Sequence, residues 1–193
     1  APRFAKWRAS HQPFHWLVEF YGVMDKGGFD VVIGNPPYIV YSRDKMSYQV
    51  LTKGYRTVES KNLYAFVFER STQIARSSGP LGLIVQLTVM SSERLPPLQD
   101  LLMARGRLTA LPFPRRPESI FEGVEMPVAI VLSHTGHVGT FATSRVARFY
   151  TEERPNALER LPLFEHNVRQ AGHRIGKLGS AVEGRLYQRI QEH

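Results

Sequence analysis

The chain has 193 residues, 42% of them hydrophobic, which is enough for one domain with a buried core. It has no cysteine, which excludes disulfide bonds and thiolate metal sites, and no apolar stretch is long enough to span a membrane. Its net charge of +8 at pH 7 favours a polyanionic partner such as nucleic acid, although many basic proteins bind none. We therefore expect a cytoplasmic protein with no membrane partner.

The first 28 residues are rich in aromatic side chains, and the segment from Phe14 to Phe20 is predicted to be a strand. His11 and His15 have the spacing of two metal ligands on one helix face, but no third ligand is evident. We expect packing or surface histidines and no metal site. Gly27-Gly28 predicts a turn.

The next segment, Phe29 to Gly34, is apolar, has the length of a strand and stops at Asn35-Pro36-Pro37-Tyr38. A strand is expected to end there. The loop after it presents an amide, a rigid backbone and an aromatic ring. Asn-Pro also begins ordinary turns, so the four residues alone leave a purely structural interpretation open.

Residues 39–60 form a polar stretch without clear periodicity, and a loop of this length is usually functional or disordered. Its basic residues alternate with aromatic ones, a pattern typical of nucleic-acid surfaces, although a solvated flexible loop fits equally well. These residues are Arg43, Lys45, Lys53 and Arg56, with Tyr41, Tyr48 and Tyr55 between them.

The rest of the first 150 residues alternates between helical and strand patterns. This alternation predicts an α/β fold, partly Rossmann-like, with a mostly parallel sheet and a terminal antiparallel strand pair. Ligands of such sheets sit at the carboxyl ends of the strands, which is where Asn35 is expected. The predicted elements are a helix over 61–78 ended by Gly79-Pro80, a strand over 81–87, a helix capped by Ser91 or Ser92 with Pro96 and Pro97 in its first turn, a strand over 108–113, and an antiparallel pair of 127–132 with 141–150.

Residues 151–193 differ in composition, since prolines and charges predominate in their first part. We predict a linker there, followed by a helix over 180–192. The predicted division is therefore 1–150 as one folded portion and 151–193 as the linker and helix.

The Asn35–Tyr38 loop has the groups needed to grip a planar amine. Two oxygen acceptors on the two N–H bonds of such an amine localise its lone pair and stabilise the charge that develops when a methyl group arrives. The Asn35 side-chain oxygen and the Pro36 carbonyl can be these acceptors, and proline holds them rigidly. Tyr38 can stack on the ring. A base in a duplex would have to flip out to reach them.

These residues resemble the catalytic motif of S-adenosylmethionine-dependent amino-methyltransferases. Lys61-Asn62-Leu63-Tyr64, continuing to Glu69-Arg70, resembles the following helix of DNA adenine methyltransferases of the gamma arrangement, which include fused restriction–modification enzymes. Ser119 to Val124 resembles the motif whose aromatic packs on the flipped adenine, and Phe14-His15-Trp16 also looks like the fused enzymes. The resemblance implies a methyltransferase fold acting on double-stranded DNA. It gives Asn35, Pro36 and Pro37 catalytic positions and implies that Tyr38 and Phe121 sandwich the base; Phe121 as a plain core aromatic is the alternative.

The chain departs from this family in its cofactor motif. The family holds S-adenosylmethionine with a glycine-rich turn, but none of the 15 glycines here forms Gly-x-Gly. Asn35 would touch only the edge of the cofactor. The N-terminus also lacks an initiator Met. We therefore expect residues 1–150 to be the C-terminal half of a methyltransferase catalytic domain. The chain would be a fragment, inactive alone, whose partners are an upstream cofactor-binding half and a downstream target-recognition domain of the same polypeptide.

Two other interpretations remain open at this stage. Protein glutamine and RNA amino-methyltransferases share Asn-Pro-Pro-Tyr, because a side-chain amide is also a planar amine. A degenerate, non-catalytic DNA-binding module would explain the missing glycine-rich turn, although it would have no need for the intact loop.

Overall fold

The computed structural model describes residues 2–11, 14–42, 53–136, 138–167, 169–170 and 174–191. Its main sheet has six strands: β1 (Val32–Gly34), β2 (Leu81–Gln86), β3 (Arg107–Phe113), β4 (Val128–His134), β5 (Phe141–Thr143) and β6 (Phe164–His166). Their order across the sheet is β1-β2-β4-β3-β5-β6. Two further short strands, β7 (Arg169–Gln170) and β8 (Arg174–Ile175), pair with each other.

The strand directions confirm the predicted fold class. β1 is parallel to β2, and β3 is parallel to β5, while β4 lies antiparallel between β2 and β3. β6 runs antiparallel to β5 at one edge. The sheet is therefore mixed, with β1, β2, β3 and β5 pointing the same way.

The predicted pairing of 127–132 with 141–150 is wrong. β4 pairs on both sides, with β2 and β3, and β5 pairs with β3 instead. The physical reason is that both edges of β4 are already hydrogen-bonded, since β2 pairs with it over six residues and β3 over seven, which leaves no free edge for residues 141–150.

The helices are α1 (Pro2–His11), α2 (Trp16–Glu19), α3 (Tyr21–Met24), α4 (Leu63–Ile74), α5 (Pro96–Ala104) and α6 (Ala181–Gln191). Short 3-10 segments cover Val58–Ser60, Leu87–Met90 and Thr151–Asn156. None of the helices in the described part of the chain has the length and apolarity needed to cross a membrane.

The strand predicted from Phe14 to Phe20 is wrong, because this segment contains α2. The rings of Trp16 and Phe20 stack with their centroids 5.6 Å apart, and Phe20 also meets Phe29 edge-on at 5.2 Å. Residues four apart in a strand would be about 13 Å apart, too far for such stacking. The aromatic cluster thus favours a helical turn.

The two predicted central helices are present. Asn62 caps α4 by accepting a hydrogen bond from the Tyr64 backbone N–H at 3.3 Å. The predicted serine cap of α5 is wrong, since its N-cap is Leu95 and makes no side-chain hydrogen bond. Prolines fill the first positions of α5 and have no N–H, so fewer backbone donors there need a cap.

The core has three buried hydrophobic clusters, the smallest of which is Tyr41, Leu63 and Phe66; the other two contact the loop after β1. The largest cluster includes residues of α4, α5 and the central strands, among them Tyr64, Phe68, Val85, Leu98, Leu102, Leu108, Val131 and Phe141. The second cluster is formed by Phe113, Ile120, Val128, Phe149 and Ala157. Tyr38 packs against both the largest and the second cluster, so the loop after β1 is anchored in the core.

The segment after residue 150 is more closely attached than its linker-like composition predicts. β6 is a strand of the main sheet, and the Thr143 hydroxyl of β5 donates to the Leu178 carbonyl at 2.8 Å. The helix predicted over 180–192 is confirmed as α6. Residues 164–166 therefore belong to the sheet, and the domain boundary at residue 150 stays a prediction.

Candidate amine-binding site

Asn35 follows directly on the last residue of β1, at the sheet edge where β2 also ends. Its side chain is exposed and lines a cavity, whereas Pro36 beside it is buried and Pro37 is exposed. An amide in this position has access to a ligand, and the buried proline fixes the backbone beside it. The structure thus places Asn35 at the mouth of an opening and not in the packed interior.

Tyr38 is half-buried and reaches back to Asn35. Its hydroxyl lies 2.7 Å from Asn35 Oδ1 and 3.0 Å from the carbonyl of Ile84 in β2. A hydroxyl has one proton, so it donates to one of these oxygens at a time. Burial raises the pKa of Tyr38 above its ordinary 10.0, which keeps the hydroxyl protonated as a donor. The Tyr38 ring also meets the Tyr64 ring edge-on, with centroids 6.5 Å apart.

Backbone hydrogen bonds hold the far end of the loop. The Leu63 N–H donates to the Ile39 carbonyl, and the Tyr41 N–H donates to the Lys61 carbonyl, both at 2.9 Å. The loop is therefore held by β1 on one side and by the start of α4 on the other. Such double attachment limits the entropy that the loop would lose on binding a ligand.

Glu69 has a structural role that its sequence does not reveal. It is 2% exposed, and its carboxylate accepts hydrogen bonds from the Arg56 N–H at 2.8 Å, the Thr57 N–H at 2.9 Å and the Thr57 hydroxyl at 2.8 Å. These hydrogen bonds hold Arg56 and Thr57, near the end of the long loop, against α4. The only signal for this role in the sequence is an acidic residue within the predicted helix, because carboxylates are seldom buried without partners.

Arg70 reinforces the same attachment. Its Nε donates to the Tyr55 hydroxyl at 3.1 Å, and its guanidinium carbon lies 5.4 Å from the centre of the Tyr55 ring. Of the loop residues predicted to form a nucleic-acid surface, Arg43, Lys45 and Tyr48 lie outside the described residues. Tyr55 and Arg56 are held against α4 by these contacts.

Phe121 is half-buried and packs against the second core cluster, as Tyr38 does. The structure thus brings the two predicted base-stacking residues to the same cluster. Their predicted roles on either side of a base remain a prediction.

The cavity beside Asn35 has a volume of about 590 Å³. It lies between β1 and α4, with Asn35, Pro36 and Pro37 at its rim and Trp16 at one side. The remaining described lining is largely apolar and includes Ile33, Leu63, Phe66, Val67 and Leu83. Neither Tyr38 nor Phe121 lines it, so this cavity is adjacent to the predicted base slot and distinct from it.

The described lining of this cavity does not fit the polar groups of S-adenosylmethionine. The cofactor carries an ammonium group and ribose hydroxyls, which are typically held by carboxylates or a glycine-rich turn. No aspartate or glutamate is among the described residues that line the cavity, and no Gly-x-Gly occurs in the sequence. Among the described residues, Asn35 could contact the edge of the cofactor, but they do not form a complete site for it.

Two exposed arginines outside the 39–60 loop are already paired with carboxylates. Arg115 lies 3.0 Å from Glu125, and Arg145 lies 2.5 Å from Glu183. Their charges are therefore partly compensated, which weakens the case for them as free phosphate ligands.

Comparison with solved structures defines the class of fold. The chain aligns with a chain of the cryoEM DrdV–DNA complex with a TM-score of 0.64 and 12% identity, over 81% of this chain and 19% of that one. It aligns with a nuclease-deletion mutant of the Type ISP restriction-modification enzyme LlaGI, in complex with a DNA substrate mimic, with a TM-score of 0.59 and 12% identity, over the same shares. The fold is therefore that found in restriction–modification enzymes.

Residues 3–113 match the profile of the Eco57I restriction-modification methylase family, and the chain belongs to this family. A curated relative is the putative type II restriction enzyme and methyltransferase RM.MjaORFECS2P of Methanocaldococcus jannaschii, which is 27% identical over 128 residues. That match covers 64% of this chain and 10% of the relative. The chain thus spans a small part of the proteins it resembles.

Proposed function

We propose that this chain is the part of a DNA methyltransferase that binds the target base, in an enzyme that methylates the exocyclic N6 amine of a flipped adenine. The observation that carries this proposal is the position of Asn35, exposed at the carboxyl end of β1 with Tyr38 bonded to its Oδ1. Membership of a restriction-modification methylase family supports the reaction class. DNA in the complexes of both similar structures supports the substrate class.

The proposed chemistry uses two acceptors. Asn35 Oδ1 retains a lone pair after accepting from Tyr38, because a carbonyl oxygen has two. That lone pair and the Pro36 carbonyl would accept the two N–H bonds of the amine. The nitrogen lone pair would then localise toward the methyl group, and the N–C bond would form as the donor's methyl–sulfur bond breaks. The cationic nitrogen would afterwards lose its proton to solvent. This step needs no strongly basic side chain.

The base would be held by stacking. Tyr38 would cover one face of the adenine and Phe121 the other, each worth about 1–3 kcal/mol by analogy with other stacked bases. This gain offsets the cost of about a few kcal/mol for flipping the base. Packing of both residues against one cluster supports the pairing.

We propose that S-adenosylmethionine is the methyl donor and that other parts of the full polypeptide hold most of it. The edge of β1 opposite β2 is unpaired among the described residues, and Ile33 on it is 79% exposed. An exposed apolar strand edge favours pairing with a further strand. An upstream half that carries the cofactor motif would cover this edge and the apolar cavity. A protein that modifies cellular DNA would work in the cytoplasm.

The 193-residue chain alone should therefore bind the cofactor poorly and be inactive. Isothermal calorimetry with S-adenosylmethionine checks this point. Binding in the micromolar range by the chain alone would contradict the proposal that other segments complete the site.

The reaction itself is tested in the full-length protein. Asn35→Ala should abolish transfer of labelled methyl groups to DNA while DNA binding is nearly unchanged. Asn167→Ala is a matched control, because Asn167 is exposed and follows β6, at the opposite edge of the sheet from β1.

Mass spectrometry of the digested DNA then identifies the product. N6-methyladenine as the product supports the proposal. N4-methylcytosine would show that the target base is cytosine and would contradict the proposed adenine specificity. Labelling of protein or RNA in place of DNA, or an unchanged rate in Asn35→Ala, would reject the proposal.

A further inference from the structure

A second, smaller cavity of about 170 Å³ lies next to the Asn35–Tyr38 loop. Val40, which follows Tyr38 by two positions, forms one side of it, and Thr88, in the 3-10 segment after β2, forms another. Tyr64 also lines it and meets Tyr38 edge-on. The Tyr64 ring therefore lies between the cavity and Tyr38, the residue proposed to stack on the base.

The lining of this small cavity carries positive charge. Lys61 and Arg94 both contribute to it, and no acidic residue is among its described lining. Neither cation forms an ion pair within the part of the chain that the structure describes. This contrasts with Arg115 and Arg145, which are paired, and leaves both cations able to meet an anion.

One residue of the same lining carries a buried hydroxyl without a partner in the described part of the chain. Ser60 is 6% exposed, and its Oγ has no hydrogen-bond partner among the described residues. Buried polar atoms are normally paired, and an exception calls for an explanation such as an absent ligand. A phosphate oxygen can accept the hydrogen bond that Ser60 has available.

Lys61 itself has an unusual backbone. Its φ of +47° places a non-glycine residue in the left-handed region, where strain is often found at ligand-binding positions. Its backbone is held there by the hydrogen bond from the Lys61 N–H to the Val58 carbonyl, at 3.1 Å, and by the one from Tyr41. The strain is therefore maintained by structure on both sides.

The start of α4 adds a favourable field. The N-terminus of this 12-residue helix lies at the cavity through Asn62, and helix N-termini favour anions. The Leu63 and Tyr64 N–H groups are already bonded to Ile39 and Asn62. An anion would therefore gain its hydrogen bonds from side chains, with the helix dipole as a supporting term.

We infer that Ser60, Lys61 and Arg94 form a subsite for a backbone phosphate of the DNA, close to the flipped nucleotide. The identity of the polyanion rests on the proposed function. The subsite fixes the strand while Asn35 and Tyr38 receive the base, since phosphate contacts position a protein on DNA without reading sequence.

The test uses the full-length protein and a fluorescein-labelled DNA duplex over a series of NaCl concentrations. Lys61→Asn removes the charge with a residue that tolerates a positive φ, and Arg94→Gln removes the second charge. Each variant should lower the salt slope of log Kd by about 0.9 and weaken binding about 3–10-fold. Arg189→Gln, on an exposed position of α6, is the matched control and should leave both unchanged.

Methylphosphonate scanning locates the phosphate. Neutralising one linkage near the target should weaken binding by the wild-type protein, and the same linkage should cost little in Lys61→Asn. Variants that fold normally and bind like Arg189→Gln would overturn the subsite, and so would equal penalties at every linkage. If the subsite is overturned but the wild type methylates DNA, the proposed methyltransferase function is kept. If the wild type binds no DNA, the subsite and the proposed function are both rejected.

Discussion

The hydroxyl of Tyr38 lies 2.7 Å from Oδ1 of Asn35, so the residue that we propose to stack on the base also orients the amide. This hydrogen bond fixes the orientation of the Asn35 amide, and thus the position of Oδ1. The carbonyl of Ile84 offers the same proton an alternative partner at 3.0 Å. Orientation of the amide and the proposed stacking on the base are thus two separable roles of a single side chain.

Tyr38→Phe separates these contributions, because it keeps the ring and removes the hydroxyl. Loss of one hydrogen bond worth about 0.5–1.5 kcal/mol should slow methylation about 2–13-fold. Tyr38→Ala also loses stacking and should cost a further ~1–3 kcal/mol. Single-turnover methylation by the full-length enzyme measures both, with exposed Tyr21→Phe as the control. Equal losses in Tyr38→Phe and Tyr38→Ala would show that the ring does not contribute.

The raised pKa of Tyr38 predicts how stability depends on alkaline pH. Because burial lifts its folded-state pKa above the ordinary 10.0, its contribution is complete below pH 10.0 and is lost as the pH rises through the folded value. The free energy of unfolding should therefore fall above that pH, and less steeply in Tyr38→Phe. Denaturant unfolding at several alkaline pH values, alongside tyrosinate absorbance, checks this. Parallel curves for both proteins would contradict it.

The Glu69 carboxylate should be important for stability as well as for loop position. Glu69→Gln keeps the side-chain volume, but its NH2 must face at least one of the three donors. A buried donor is then left unpaired, which should lower the free energy of unfolding by about 1–3 kcal/mol. Thr57→Val removes only the hydroxyl donor and should cost less. Urea unfolding and hydrogen exchange at the Arg56 and Thr57 amides measure the effect. Unchanged exchange in Glu69→Gln would show that the loop is held by other contacts.

Elements with strong local patterns could be predicted from the sequence. The helical spacing of Leu63, Phe66 and Ile74 predicts α4, and the apolar run over 81–87 predicts β2. Asn35 could be placed because an apolar strand pattern stops directly before it. The candidate site followed from this one boundary, since strand ends gather at one edge of an α/β sheet.

The features that sequence reasoning missed depend on contacts between distant segments. The position of β4 between β2 and β3 depends on pairing with strands from other segments of the chain, which a local pattern does not encode. Glu69 acts through Arg56 and Thr57, which lie in a segment without periodicity. The hydrogen bond between Tyr38 and Asn35 spans three residues, and this short spacing could have suggested it.

The turn before β1 offers a test of how the site depends on its scaffold. Gly28 has a φ of +106°, and a Cβ there would collide with the Ile74 carbonyl oxygen and approach the Ala75 carbonyl carbon at 3.0 Å. Gly27 has a similar φ of +94°, but a Cβ there would meet nothing within 4 Å. The two neighbours therefore share the conformational strain and differ in the collision.

Gly27→Ala should cost about 1–2 kcal/mol from strain alone, and Gly28→Ala about 1–3 kcal/mol more, because two backbone segments must move apart. The Phe29 N–H donates to the same Ile74 carbonyl at 2.9 Å, so this movement displaces the start of β1 relative to α4. Methylation by the full-length enzyme should fall more in Gly28→Ala than in Gly27→Ala, even at temperatures where both are folded. Thermal unfolding and single-turnover rates measured together check this, and equal rates would mean that Asn35 is positioned independently of the turn.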